Sequence, residues 1–294
     1  MSLYRKTRIV LEMIKFEHSI FALPFALTAA LLAARGLELT TAEIFVKIGW
    51  IVLAMVAARS AAMAFNRVVD AQYDAQNPRT QGRAIPAGYV TAKFTWVFIL
   101  VWTLVFLFAA AQLNPLCLLL SPVALAVVFG YSYTKRLTSL SHLILGVALG
   151  LAPAAAWIAV RGSIDWRIWI LSAAVMLWVA GFDIIYACQD LDFDRSAGLF
   201  SIPAKLGVGP ALWLARGFHV VMVMLLVCLW YWFGLGWLAL AGVAAAAALL
   251  AWEHTMVSAR DLSRVNAAFF VINGWVSILF FVSWAADLLR RPLA

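Results

Sequence analysis

The sequence predicts an all-α protein that crosses a membrane about nine times, and three observations carry that prediction. Of its 294 residues, 65% are hydrophobic and only 12% charged, with a mean hydropathy of +0.95; soluble chains are about a quarter charged. The apolar residues come in runs of about 20, the helical length that crosses roughly 30 Å of hydrocarbon. The charged residues gather between those runs. The runs are too many and too long to be explained by a cleaved leader, and the first is followed by residues 35–43 with no convincing processing site.

The expected spans are 16–35, 43–69, 94–112, 115–133, 140–160, 166–188, 210–232, 235–252 and 266–288. Basic residues orient them. The N-terminal tail and the loops after spans two, four, six and eight hold 15 Lys and Arg, the opposite side holds six, and Arg59 lies within a span. Loops rich in Lys and Arg stay in the cytoplasm, so the N-terminus is expected inside and the C-terminus outside. The net charge of +8 is accounted for by those loops, and nucleic acid is not an expected partner.

In span one, Pro24 removes a backbone donor and should kink the helix; Glu17 and His18 read as an interfacial pair at its cytoplasmic mouth. Span two carries Arg59, then Asn66, Asp70 and Asp74 at its end. Spacings of i, i+4 and i+8 advance about 400° per step, so the last three share one helix face. One such aspartate pair could merely cap or solvate a helix end. Two carboxylates and an amide on one face also suit Mg²⁺, which takes one or two protein carboxylates together with phosphate oxygens. Arg59, two turns deeper on that face, is costly in the bilayer and by default paired or functional. It either partners an aspartate or meets an acidic group on a second substrate.

The loop from Gln76 to Thr91 brings Arg79 and Arg83 within reach of phosphate oxygens beside this cluster. After span four, Tyr131 and Tyr133 read as belt residues or, with Lys135 and Arg136, as part of an anion site. Span six ends on Asp183, Asp190 and Asp194, with Asp190 and Asp194 repeating the spacing of four and Asp192 turned away. The segments that follow are alike: Gly82-Arg-Ala-Ile-Pro86-Ala-Gly88 and Ser201-Ile-Pro203-Ala-Lys-Leu-Gly207. Two acidic devices about 120 residues apart look like an internal repeat, and a shared metal–phosphate site is the expected result.

Spans seven and eight, uncharged until Glu253 and His254, read as packing and lipid-facing helices. Trp230, Trp232 and Trp237 are expected as belt anchors, and Asn266 and Asn273 as helix–helix hydrogen-bond formers. Cys117, Cys188 and Cys228 lie far apart in apolar segments and read as packing residues.

Carboxylates ringed by Arg and Lys at a membrane mouth suggest a pyrophosphate group held through Mg²⁺. The apolar helices beneath make an isoprenyl diphosphate the expected ligand. Metal-assisted departure of pyrophosphate generates an allylic cation, which aromatic faces stabilise and dry walls protect from water.

On these motifs the chain resembles the UbiA superfamily of intramembrane prenyltransferases over nearly its full length. Asn66-x-x-x-Asp70-x-x-x-Asp74 is similar to the family's first aspartate-rich motif. Asp183-x-x-Tyr186-Ala187-x-x-Asp190-x-x-x-Asp194 is similar to the second, and Tyr131-x-x-x-Lys135-Arg136 to the element between helices four and five. The resemblance implies one domain over residues 1–294, with nine helices around a central cavity. Its pseudo-repeats would cover 16–133 and 140–252, with 266–288 as the last helix. It also implies two Mg²⁺ ions held with pyrophosphate by Asn66, Asp70, Asp74, Asp190 and Asp194, with Lys135 and Arg136 on the diphosphate and Asp183 and Tyr186 shaping the site.

The implied reaction moves a polyprenyl chain from its diphosphate to a hydroxy-aromatic acid in ubiquinone or menaquinone biosynthesis, in a bacterial-type inner membrane. For the 4-hydroxybenzoate branch, alkylated ortho to its hydroxyl, Arg59 is the candidate partner of the acceptor carboxylate. The segment Ile14-Lys-Phe-Glu-His-Ser-Ile-Phe-Ala-Leu-Pro24 instead resembles the branch acting on 1,4-dihydroxy-6-naphthoate. Haem or chlorophyllide acceptors are further members of the family's range. Two rivals stand outside it. An ion transporter would carry polar groups through both leaflets, whereas here they crowd on the expected cytoplasmic side. A CDP-alcohol phosphotransferase would need an Asp-Gly-x-x-Ala-Arg run, which the sequence lacks.

Overall fold

A computed structural model describes residues 3–14 and 21–290, and among them every regular element is helical. Eight helical stretches are long and apolar enough to cross a membrane: Thr41–Val69, Ala92–Leu113, Pro115–Arg136, Ser141–Arg161, Trp166–Ser196, Val208–Trp232, Trp237–Met256 and Val265–Arg290. The ninth expected span, the first in the chain, appears among the described residues only as the 12-residue helix α2 (Leu23–Ala34). At 1.5 Å per residue that is about 18 Å, too short to cross hydrocarbon alone. Glu17 and His18 lie outside the described residues. Pro24 sits at the start of α2, where its missing N–H costs nothing.

The chain forms two compact units, residues 1–19 with 49–133 and residues 20–48 with 134–294. In the first, the amphipathic helix α1 (Leu3–Met13) leaves Arg5, Arg8 and Glu12 exposed. It buries Val10, followed by Ile14, among Ala64, Ala84, Val90, Phe98 and Ile99. The part of α3 (Thr41–Val69) beyond residue 48 belongs here, followed by α4 (Ala71–Gln76), α5 (Ala92–Leu113) and α6 (Pro115–Gly130). The turn between α5 and α6 follows from its residues. Asn114 is extended, its side chain accepts from Cys117 N at 2.9 Å, and Pro115 takes the first helical position. Phe65 stacks on Phe129 at 4.7 Å between ring centroids, fastening α3 to α6.

The second unit packs α2, α7 (Ser141–Arg161), α8 (Trp166–Ala187), α11 (Val208–Trp232), α12 (Trp237–Met256) and α14 (Asn273–Arg290). With 22 residues, α8 is about 33 Å long, and it is lined with buried Ala, Val, Ile, Trp and Phe. Helix α7 approaches it through Gly146 and Gly150. A Cβ on Gly150 would lie 2.7 Å from Ser172 O, and one on Gly146 would collide with the Met176 carbonyl. Close backbone approach at small residues is how helices associate in lipid, which offers no hydrophobic driving force.

Arginines fasten the ends of α2 and α11 and the start of α8. Arg161 Nε donates to Ala33 O at 2.8 Å, Arg35 Nη1 to Phe233 O at 2.9 Å, and Arg167 pairs with Asp165 at 2.6 Å. Trp230 Nε1 donates to Gly236 O and lies 6.2 Å from Trp237, while Trp232 meets Trp166 at 5.0 Å. The Asp287 carboxylate accepts from Gly236 N at 2.7 Å and so closes the start of α12. Before α14, a three-residue helix α13 (Val265–Ala267) leads into a π-turn, Ala268–Ile272.

Candidate functional site

Both acidic motifs sit where a long helix gives way to a short one. Helix α3 ends at Val69, Asp70 adopts φ −90°, ψ 3°, and α4 follows. Helix α8 ends at Ala187, Cys188–Asp190 tighten into a 3₁₀ turn, Asp190 adopts φ −100°, ψ 7°, and α9 (Leu191–Ser196) follows. The two aspartates therefore share one backbone conformation, at the N-cap position of a six-residue helix, and neither caps it with its side chain. The capping explanation of these residues is not what the structure displays. The expected unbroken helix face is corrected as well: each motif spans a break. The register survives at the first, because Asp70 N bonds Asn66 O at 2.9 Å and Asp74 N bonds Asp70 O at 2.8 Å.

In the first unit, Asn66 Nδ2 donates to Asp70 Oδ2 at 2.7 Å and orients that carboxylate. Asp74 is buried. Arg83 Nη1 donates to its Oδ1 at 2.6 Å, and Arg67 Nη1 stands 3.7 Å from its Oδ2. That Oδ2 is buried without a hydrogen-bond partner. Arg79 lies exposed on the following loop, where its N–H donates to Asn77 Oδ1. Arg59 is half-buried two turns deeper on α3.

In the second unit, Asp190 and Asp194 are both buried, while Asp192 is exposed as expected. Lys135 Nζ stands 3.7 Å from Asp194 Oδ2, which again is buried without a hydrogen-bond partner. Lys135 and Arg136 close the 3₁₀ helix Tyr131–Arg136, and Lys135 O accepts from Phe200 N at 2.6 Å, fixing the segment against the residues after α9. The parallel extends to the loops: the matched segments end at Gly88 and Gly207, both at positive φ (74° and 82°), where a side chain would be strained.

One partner was not legible beforehand. His142, fully buried in the first turn of α7, places Nδ1 2.7 Å from Asp183 Oδ2 and Nε2 3.3 Å from Ile202 N. An amide N–H can only donate, so Nε2 is the acceptor and Nδ1–H donates to the carboxylate. His142 thus ties Asp183 to α10 (Ile202–Leu206), the helix opened by Ser201 and Pro203. Above Asp183 on α8, Tyr186 packs on Phe269 at 4.4 Å, and Phe182 meets Phe269 at 5.1 Å and Phe21 at 6.1 Å. This aromatic group is presented by α8, the residues before α2 and the π-turn.

Spans seven and eight are more than packing helices. His219 on α11 and Glu253 and His254 on α12 meet, and Asn273 bonds Glu253. The expected helix–helix role of Asn273 is observed, while Asn266 is exposed.

The profile of the UbiA prenyltransferase family matches residues 22–283. The chain is 31% identical over 245 residues to a 4-hydroxybenzoate octaprenyltransferase of Klebsiella pneumoniae, covering 82% of this chain and 84% of that one. Among solved structures it is similar to the apo form of a UbiA homolog from Aeropyrum pernix, with 36% identity, a TM-score of 0.83, and coverage of 92% of this chain and 98% of that one. The fold is also that of a UbiA homolog from Archaeoglobus fulgidus bound to DMAPP and Mg²⁺, at 16% identity and a TM-score of 0.73, covering 95% and 99%.

Proposed function

The chain belongs to the UbiA prenyltransferase family, and from that premise we propose that it transfers a polyprenyl chain from its diphosphate to a hydroxy-aromatic acid, 4-hydroxybenzoate by the names of its relatives. The observation that carries this reading is the pair of buried, unpartnered oxygens, Asp74 Oδ2 and Asp194 Oδ2, each beside a basic side chain at a helix break. Bare carboxylate oxygens in an all-oxygen donor set fit Mg²⁺. Asn66, Asp70 and Asp74 would hold it in the first unit, and Asp190 and Asp194 in the second. When bound, the cation neutralises the diphosphate and makes it a better leaving group.

The protein's own side chains do the rest. Arg83 and Arg67 fix Asp74, Asn66 turns Asp70, and Lys135 is free to exchange Asp194 for a diphosphate oxygen because their 3.7 Å contact is no hydrogen bond. Arg79, Arg136 and Tyr131 add donors to the diphosphate. As the C–O bond of the donor breaks, its electron pair leaves with the diphosphate and an allylic cation remains. The faces of Tyr186, Phe182 and Phe269 stabilise such a cation and exclude water. The ring carbon ortho to the acceptor hydroxyl forms the new C–C bond and the ring then loses its proton. Arg59 is assigned to the acceptor carboxylate. The chain is read as one domain of two pseudo-repeats, placed in a bacterial-type inner membrane with its acidic motifs toward the cytoplasm, from the 15-to-six distribution of Lys and Arg.

A second acceptor, 1,4-dihydroxy-6-naphthoate, is favoured by one observation, the segment from Ile14 to Pro24. Prenyl transfer in detergent with Mg²⁺, a polyprenyl diphosphate and each acid in turn decides between them. Product is expected from one acid, and it disappears on chelation or in Asp70→Ala. Turnover that persists in Asp70→Ala, or in excess EDTA, sinks the assignment of the metal site.

A further inference from the structure

The prenyl-transfer reading leaves unused a polar cluster enclosed by four helices of the second unit. His219 on α11 is buried with Nδ1 3.0 Å from His254 Nε2 and 3.6 Å from Glu253 Oε2, both on α12. The three ligand atoms lie within 4.8 Å of one another. We propose that His219 Nδ1, His254 Nε2 and Glu253 Oε2 bind a divalent transition metal of the zinc class, which fastens α11 to α12.

Four features make this a built site. The first is the donor set. Two imidazoles and one carboxylate suit zinc and its neighbours, whereas Mg²⁺ asks for oxygens alone. The second is spacing. Metal–ligand bonds of about 2.0–2.2 Å in tetrahedral geometry separate ligand atoms by about 3.4 Å, and the observed 3.0 and 3.6 Å bracket that value.

The third feature is the surrounding support. His219 Nε2 lies 3.2 Å from the Trp178 carbonyl, which only accepts, so Nε2 carries the proton and Nδ1 presents its lone pair. The other Glu253 oxygen, Oε1, accepts from Asn273 Nδ2 at 2.6 Å, and Asn273 Oδ1 accepts from Trp178 Nε1 at 2.7 Å. Backbone carbonyls and hydrogen-bonded carboxylates orient metal ligands in this way. The π-turn contributes too, since Asn273 Nδ2 also reaches the Ala268 and Phe269 carbonyls at 3.3 and 3.2 Å. The fourth feature is need. Glu253 is fully buried among apolar helices, and its Oε2 has no hydrogen-bond partner; a carboxyl in such surroundings must be neutralised by a proton or a cation, and a bound metal ion also gives the bare oxygen a partner. Room for the imidazole is also reserved: a Cβ on Gly181 would collide with the His219 ring, reaching 2.5 Å from Cδ2.

The test is metal analysis of the full-length protein purified without chelator, together with Co²⁺ titration of the metal-stripped protein. About one zinc-class ion per chain is expected, with visible d–d bands of a nitrogen-containing, low-coordinate Co²⁺ site. Both should vanish in Glu253→Gln, a near-isosteric change, and in His219→Ala, yet persist in Asp70→Asn/Asp190→Asn, which alters only the oxygen-rich motifs. Zn²⁺ should also raise the Tm of the stripped wild type but not that of Glu253→Gln. Wild-type protein that retains no such ion and develops no Co²⁺ bands overturns the proposal, whatever the variants do. So does metal that stays in Glu253→Gln and His219→Ala but leaves with the aspartates.

Discussion

Asp74 and Asp194 each keep one carboxylate oxygen beside a cation and bare, an arrangement that makes their neighbours as telling as themselves. Removing Arg83 takes from buried Asp74 its 2.6 Å hydrogen bond and leaves Arg67 Nη1 3.7 Å away. Arg83→Ala should lower stability by about 2 kcal/mol, the worth of a hydrogen bond to a charged group, read as a fall in Tm in detergent, and should raise the KM for the diphosphate. An unchanged KM would remove Arg83 from the site. His142 offers a cleaner separation. His142→Ala strips Asp183 of its donor and Ile202 N of its acceptor, at about 1–3 kcal/mol. His142→Gln should restore part of the stability. As a positioning residue it should depress kcat in both variants while leaving acceptor KM near wild type; equal kcat in all three proteins would reduce it to a structural prop. Asp70, Asp74, Asp190 and Asp194 were legible because each motif is local, its spacing readable within nine residues. His142 was not, since its partner lies 41 residues away and nothing beside it in sequence marks the contact.

Helices were predictable where length and hydropathy decide, and mistaken where backbone detail does. Spans two to nine appear within a few residues of expectation, because nothing but helix satisfies the backbone in lipid. The breaks at Asp70 and Asp190 left no mark in the sequence. Neither contains Gly or Pro, the residues that usually mark a helix break. The π-turn before Asn273 was equally silent, for an extra residue in a helical turn follows from what the side chains must reach. Packing at α7 belongs to this scale as well. Gly150→Leu should prevent α7 from approaching Ser172 of α8 and leave little folded, monodisperse protein in detergent, whereas Gly217→Leu, with nothing within 4 Å of its would-be Cβ, should be tolerated. Equal yields of both would mean that close approach of α7 and α8 is not needed.

Over the whole molecule, composition and the distribution of charge announced a multi-pass membrane protein before any residue was placed, and the expected count of nine spans met eight among the described residues. The difference lies in the first, of which the described residues show only α2. Of the cations assigned to the far side, Arg35 and Arg161 hold backbone carbonyls and Arg167 holds Asp165. The length of α8 has a kinetic consequence. Its 22 residues match the hydrocarbon thickness, and the proposed function sets Asp190 and Asp194, on its continuation, at the level of the phospholipid headgroups. A polyprenyl diphosphate keeps its own head at that level, and on the proposed function it arrives by lateral diffusion without leaving the leaflet. Encounter is then two-dimensional. In proteoliposomes at fixed bulk donor, adding inert lipid should slow turnover in proportion to the fall in donor mole fraction, and a rate indifferent to such dilution would mean that the donor enters from water.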